Sequence, residues 1–237
     1  MNAVTPHVVL VHGAWHGGWS WGSTPDDLRA RGLTVSVINQ LPSTDGGAPA
    51  GLKDDAKALR EHIAAEKGPV VVVAHSYGGM VASELAGEPS IAAVVYLAAF
   101  LPVEGETLAE LMGGQLPPWV LFDETRTFTH LDPSVSREFV AVDAASPEQV
   151  DEHVSRMVPH AVRAFLEPSS TAGWGSTPVT YVVAERDQVI PPEAQHAMAG
   201  RAGAATTVAD ATPLGIQSQS AEAVEIIAAV AAAVRPR

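Results

Sequence analysis

Cysteine is absent from the 237 residues, which removes disulfides, thiol nucleophiles and Cys-based metal sites together. Basic residues are scarce: 14 Lys and Arg stand against 27 Asp and Glu, a formal charge of −13. That balance argues against a nucleic acid or an anionic membrane surface as partner. The longest apolar run, Ile91 to Val103, is too short to cross a bilayer and reads as core. Met1 to Pro6 lacks a basic stretch followed by an apolar one, so no signal peptide is read there and a cytoplasmic protein is the expectation. One further absence weighs most later: no histidine follows His196. What remains, 46% hydrophobic and 17% charged, suits one large α/β domain with a sizeable core.

The chain is organised around Val70-Val71-Val72-Val73-Ala74-His75-Ser76-Tyr77-Gly78-Gly79. An unbroken valine run suits a strand covered on both faces, as in a parallel sheet. The turn after it, which leads into an apolar helix pattern from Tyr77, is a variant of the G-x-S-x-G nucleophile elbow with Ala74 at the first glycine. A serine on so sharp a turn needs small residues two places before and after it, and Ala74 and Gly78 supply them. The helix that follows would direct free N–H groups toward the serine oxygen. Taken alone, the pentapeptide also fits an ordinary strand–helix turn with a solvated serine.

Before the elbow, His7 to Val11 reads as a strand that ends in a loop of glycine and tryptophan. Thr24-Pro25-Asp26-Asp27 opens a helix, Leu33 to Ile38 is a second strand, and Leu52 to Glu66 has helical spacing. After the elbow come strands at Ile91 to Phe100, Val179 to Ala184 and Ala205 to Ala209, with helices at Pro192 to Ala202 and Ala221 to Val234. This alternation predicts an α/β fold, a doubly wound, mostly parallel sheet. Between Pro102 and about Gly175 the pattern changes to short helical pieces with no convincing buried strand. That insertion is expected over the carboxyl ends of the strands, where such folds bind ligands.

At this point the chain resembles the α/β-hydrolase superfamily over essentially its full length. Leu10-Val11-His12-Gly13-Ala14-Trp15-His16-Gly17-Gly18-Trp19-Ser20-Trp21 is similar to the first loop of the plant methyl-esterase and hydroxynitrile-lyase group and its bacterial relatives. The resemblance implies a Ser-His-Asp triad in the chain order nucleophile, acid, base, and a small helical cap inserted after the sixth strand. The core would be residues 1–102 and 176–237 and the cap 103–175. Ser76 takes the nucleophile position, the backbone N–H groups of Ala14 and Tyr77 the oxyanion donors, and Asp187 the acid, with Glu185 as its rival. His12 and His16 have i, i+4 spacing but lie on a glycine-rich loop without a carboxylate, so they are expected to brace the loop and to hold no metal. His75 should point away from the serine and pack. Trp15, His16, Trp119, Phe128 and Trp174 are the expected substrate contacts.

The base departs from the pattern. The family's histidine follows the last strand in a D-H-x-P turn, which here reads Asp210-Ala211-Thr212-Pro213. That register puts the histidine on Ala211; a gapless register puts it on Pro213. His196 lies in the helix after Asp187, which should carry it away, and His130, His153 and His160 belong to the cap. Without an imidazole, a serine hydroxyl is a poor nucleophile. Three readings stay open. The chain is an esterase whose base is replaced, or a non-hydrolytic tailoring enzyme (a cyclase, lyase or isomerase) using the same pocket, or a small-ligand-binding protein. The expected partner is a small apolar or aromatic, uncharged carbonyl compound, without a cofactor; a homodimer is left open.

Overall fold

The computed structural model describes residues 5–234. Of the N-terminal stretch read for a signal sequence, residues 1–4 lie outside the described residues. Six strands form one parallel sheet: β1 (His7–Val11), β2 (Thr34–Val37), β3 (Val70–Ser76), β4 (Ile91–Ala99), β8 (Val179–Ala184) and β9 (Ala205–Ala209). Their order is β2-β1-β3-β4-β8-β9. The chain winds outward from β1 to one edge, then from β3 to the other.

Helices cover both faces: α1 (Thr24–Ala30), α2 (Leu52–Ala64), α3 (Gly78–Ser83), α8 (Pro192–Arg201), α9 (Pro213–Ser218) and α10 (Ala221–Ala233). Both faces are therefore apolar, which is why the valine run shows no alternation. Val70, Val72 and Ala74 enter one core cluster with Leu52, Leu59 and Met80. Val71 and Val73 enter the other, with Leu28, Val224 and Ile227.

The insertion carries α4 (Leu108–Leu111), α5 (Pro133–Ala141), α6 (Pro147–Ser155) and α7 (Val162–Leu166). It also carries three strands, β5 (Val120–Phe122), β6 (Phe128–Leu131) and β7 (His160–Ala161), paired antiparallel in that order. The expectation of helices without strands is corrected there. Pieces of two to four residues are too short for a period of two to show. The β5–β6 hairpin is instead fixed by Asp123, whose Oδ1 accepts from the N–H groups of Thr127 and Phe128 at 2.7 and 2.9 Å. The insertion leaves from β4, the fourth strand in chain order, and only six strands make the main sheet, so its expected place after a sixth strand does not hold. Among the described residues, no helix is long and apolar enough to cross a membrane.

Candidate active site

The elbow forms as its small residues require. A Cβ at Gly78 would stand 2.6 Å from the Val11 carbonyl oxygen and 2.7 Å from that of His12, and one at Gly79 would stand 2.2 Å from the Phe100 oxygen. Real side chains do not tolerate such distances, so β1, β3 and β4 converge on this turn only because glycine is there. Ser76 has φ +50°, the left-handed region that a non-glycine residue enters at a cost. Its Oγ makes no hydrogen bond among the described residues and opens on a cavity of about 450 Å³. Gly13 lies against it: a Cβ there would meet Ser76 Cβ at 2.9 Å and Ser76 Oγ at 3.4 Å.

Backbone strain gathers around the same space. Among the described residues, the non-glycine positions with positive φ are Trp15, Ser76, Ala98 and Arg126, and the first three line this cavity. Strain of this kind persists where surrounding structure over-determines the backbone, which is characteristic of functional sites. Trp15 is held from the insertion: its Nε1–H donates to Thr129 Oγ1 at 3.0 Å, and its carbonyl accepts from the Val158 N–H at 3.0 Å. Ala14, just before it, also lines the cavity. Neither the Ala14 nor the Tyr77 N–H donates within the protein among the described residues.

Asp187 lines the same cavity and is 6% exposed. It sits in the turn that ends β8. Its Oδ1 accepts from the N–H groups of Val189 and Ile190 at 2.7 and 2.9 Å, and Oδ2 from Gln195 Nε2 at 3.0 Å. Burial pushes this carboxyl up from 3.8 to about 6, partly offset by those backbone bonds. No cation pairs with it among the described residues. Its rival Glu185 is exposed at the cavity mouth.

The loop after β9 completes the wall with Thr212, Pro213 and Leu214. Ala211 does not line the cavity; it packs at the edge of the second core cluster, and its carbonyl accepts from the Arg186 N–H at 3.0 Å. That bond ties residue 211 to Arg186, the chain neighbour of Asp187. The turn continues into α9, capped by Thr212 Oγ1, which accepts from the Gly215 N–H at 2.9 Å. Thr212 in turn donates to Asp143, on the loop between α5 and α6.

The histidines divide clearly. His12 Nδ1–H donates to the Gly13 carbonyl at 2.8 Å and His16 Nδ1–H to that of Ala14 at 2.7 Å, so both rings bond the loop they stand on. The Nε2 of His16 then accepts from His153 Nε2–H at 3.0 Å, because its other nitrogen carries the proton. His130 and His196 are exposed. His160 is fully buried against Trp15, Tyr77 and Phe165, with burial pushing it down to about 3. His75, expected to point away from the site, is buried yet lines the cavity. A Cβ at Gly13 would stand 3.2 Å from its Nδ1, so the glycine leaves the ring its room. Burial pushes it down to about 3.

Of the expected substrate contacts, Trp15, His16 and Trp119 line the cavity. Phe128 and Trp174 do not. Phe128 is in the small sheet, and the Trp174 indole N–H donates to the Tyr96 hydroxyl at 2.8 Å within the core. The cavity takes Leu131, Phe139, Met157 and Ile190 instead. One polar residue was legible and passed over. Asp55 falls in the stripe Leu52, Ala56, Leu59, Ile63 of α2, where an acid has no place unless it is bonded. Fully buried, it accepts from the Tyr77 hydroxyl at 2.6 Å and from Ser43 N–H and Oγ–H at 2.8 and 2.5 Å. It thus anchors the residue that follows Ser76.

With this geometry described, comparison with known proteins places the chain. Residues 8–225 match the family model described as the alpha/beta hydrolase family. The chain belongs to that family. A probable hydrolase of a Phoma species is 33% identical over 200 residues, covering 80% of this chain and 81% of that protein. A carbendazim hydrolyzing esterase of a Nocardioides species is 36% identical over 186 residues, covering 71% and 74%. Among solved structures, a pyrethroid hydrolase from Sphingobium faniae superposes with a TM-score of 0.81 at 21% identity, over 97% of this chain and 98% of that one, a likeness of fold. A methylesterase of Arabidopsis thaliana and a salicylic acid-binding protein of Nicotiana tabacum are further relatives, in keeping with the resemblance of the first loop.

Proposed function

We propose that this α/β-hydrolase-family chain is a serine-centred enzyme for a small, uncharged, apolar or aromatic ester or carbonyl compound, and that it hydrolyses esters very slowly because no histidine stands at the base position, Ala211 in one register and Pro213 in the other. The observation that carries the proposal is Ser76 itself. Its backbone is strained, its hydroxyl is unbonded, and it opens on a cavity shared with the buried Asp187. In this reading residues 103–175 cap the cavity, and the N–H groups of Ala14 and Tyr77 receive charge developing on the substrate oxygen, each worth roughly 3–4 kcal/mol in related chemistry. The relatives named hydrolase and esterase support the reaction class.

No described histidine serves the serine. His75 and His160 are neutral and weakly basic in their buried settings, and His153 is engaged with His16. Losing the triad histidine of a serine protease costs about 10⁶-fold in turnover, while donors and binding still leave about 10³–10⁴ over water. Turnover of 4-nitrophenyl acetate should therefore lie far below the usual ~1–10³ s⁻¹ and change little in Ser76→Ala. Brisk turnover that disappears in Ser76→Ala would mean that another group acts as base, and the proposal would fall.

A further inference from the structure

Resting on the reading just given, we propose that Asp55 is a positioning residue for the oxyanion site: it holds the Tyr77 side chain, and with it the Tyr77 N–H, in the orientation that receives a substrate oxyanion. The proposal starts from a buried carboxylate that stability does not call for. Asp55 lies on the apolar stripe of α2, fully buried, and no cation pairs with it among the described residues. Its Oδ2 accepts from the Tyr77 hydroxyl at 2.6 Å and from Ser43 Oγ–H at 2.5 Å, and its Oδ1 from the Ser43 N–H at 2.8 Å. Burial pushes the Asp55 carboxyl up to about 6 against the pull of those bonds, and it pushes the Tyr77 hydroxyl well above its ordinary value. At neutral pH the pair is therefore carboxylate and phenol, with Tyr77 donating. An apolar pair of the same shape would fill the space without desolvating a charge. It would lack direction, whereas a charge-assisted bond of this length fixes the phenol along one line.

That line ends at a residue beside the reacting atoms. Tyr77 follows Ser76 directly, and its ring meets that of His160 edge to face, with centroids 4.7 Å apart. His160 meets Trp15 in turn at 6.1 Å. His160 is fully buried with neither ring nitrogen bonded, so packing alone carries position through it. Trp15 stands next to Ala14, the other donor, with φ +59°, and Thr129 and Val158 hold it from the insertion. The two donors thus sit at the ends of one packed row, Tyr77, His160 and Trp15. One end is tied to the insertion. The other is tied to Asp55, and through it to Ser43 in the turn Pro42–Thr44. Neither Asp55 nor Ser43 lines the cavity, so releasing their hold on Tyr77 leaves the substrate walls in place. A misplacement of about 1 Å at a reacting group costs up to about 10²-fold in rate. A loosened tether therefore shows in the chemistry before it shows in binding.

The experiment compares the wild type with Tyr77→Phe, Asp55→Asn, the double variant and Ser36→Ala, a change far from the cavity. Residual 4-nitrophenyl acetate turnover gives kcat and KM. Calorimetry gives the affinity for phenylboronic acid, which adds to a serine hydroxyl as a tetrahedral anion, and for toluene, which has no oxygen to place. Tyr77→Phe is expected to lower kcat and phenylboronic acid affinity about tenfold, part of the roughly 10²–10³ that loss of a whole donor costs, with KM and toluene affinity unchanged. Asp55→Asn should do the same, and the double variant no more than either single, because each breaks the same bond. Tyr77→Phe leaves Asp55 its bonds to Ser43, so it carries the test if Asp55→Asn fails to fold. The proposal is overturned if kcat and phenylboronic acid affinity hold in Tyr77→Phe, or if the single losses add in the double variant. It is equally overturned if KM and toluene affinity worsen in step with kcat, which is collapse of the cavity, or if Ser36→Ala lowers kcat as far. Brisk turnover that disappears in Ser76→Ala would remove the slow-hydrolysis reading alone, since the ratios between Tyr77→Phe and wild type still read the tether. A wild type that neither binds phenylboronic acid nor exceeds the buffer rate would remove the Ala14 and Tyr77 donors, and both readings with them.

Discussion

Two serines on the same sheet carry complementary halves of one chemical device. Ser36, on the edge strand β2, stands between two imidazoles. His7 Nδ1 lies 2.9 Å from Glu66 Oε2, and His7 Nε2 lies 2.9 Å from Ser36 Oγ. A carboxylate can only accept, so His7 donates from Nδ1 and offers Nε2 to the serine hydroxyl, while His62 Nε2–H donates to Ser36 Oγ at 2.8 Å. Acid, base and hydroxyl are thus in line at hydrogen-bond distance. Ser76 has none of these partners, yet it has the strained backbone, the cavity, the free N–H groups and a buried acid. The difference teaches that side-chain spacing is the cheaper half. Ser36 has ordinary strand backbone and satisfied bonds, so nothing in its surroundings favours the transition state over the ground state. In the proposed reading Ser76 lacks one imidazole but keeps what only a fold can build.

The comparison is broken most sharply by moving an imidazole to Ser76. Pro213 lines the cavity, whereas the Ala211 side chain packs at the edge of the second core cluster, so Pro213→His is expected to raise 4-nitrophenyl acetate turnover by about 10²–10⁴-fold. Ala211→His should gain nothing, because residue 211 faces the core and does not line the cavity. A gain in Ala211→His alone would reverse the register. Ser36→Ala, made in either background, should leave the rate where it was.

The acids behind the two serines also differ, and a pH series sharpens that difference. Asp187 is buried without a cation and pushed up to about 6, so the folded chain holds its proton more tightly than the unfolded one. The stability it contributes is present below about pH 4 and is lost as pH rises through 6. Two units correspond to about 3 kcal/mol. Asp187→Asn cannot ionise, so its stability relative to the wild type should rise by up to that amount between pH 4 and 7. Urea unfolding at each pH reads it; a flat difference would mean that Asp187 is better solvated than its burial indicates.

The same contrast explains what could be read before the structure. The strands were legible because a parallel sheet buried on both faces demands runs such as Val70 to Val73, and Ser76 was legible because Gly78 and Gly79 are what three converging strands require. The small sheet was not, since β7 is two residues long and its position is set by Thr129 and Trp15 rather than by its own pattern. Trp174 was misassigned because an aromatic residue in an insertion reads the same whether it faces the cavity or, as here, the Tyr96 hydroxyl. The Ser36 array left no local trace at all. His7, Ser36, His62 and Glu66 come from two strands, the α2 helix and the segment after it, and only the β1–β2 pairing and the packing of α2 bring them together.

The smallest expected effect is the most direct test of what Ser36 is for. If its array is structural, Ser36→Ala removes two hydrogen bonds at a partly exposed edge, each worth about 0.5–1.5 kcal/mol. His7 and His62 can turn to water in its place, so a net loss of about 1 kcal/mol is expected in urea unfolding. A fluorophosphonate probe with mass-spectrometric readout should then label Ser36 no faster than an ordinary surface serine, in the wild type and in Ser76→Ala alike. Pro213→His should label at Ser76 and leave Ser36 untouched. Rapid labelling of Ser36 in the unmodified chain would show that a base in line suffices without strain or cavity, and the distinction drawn between the two serines would fail.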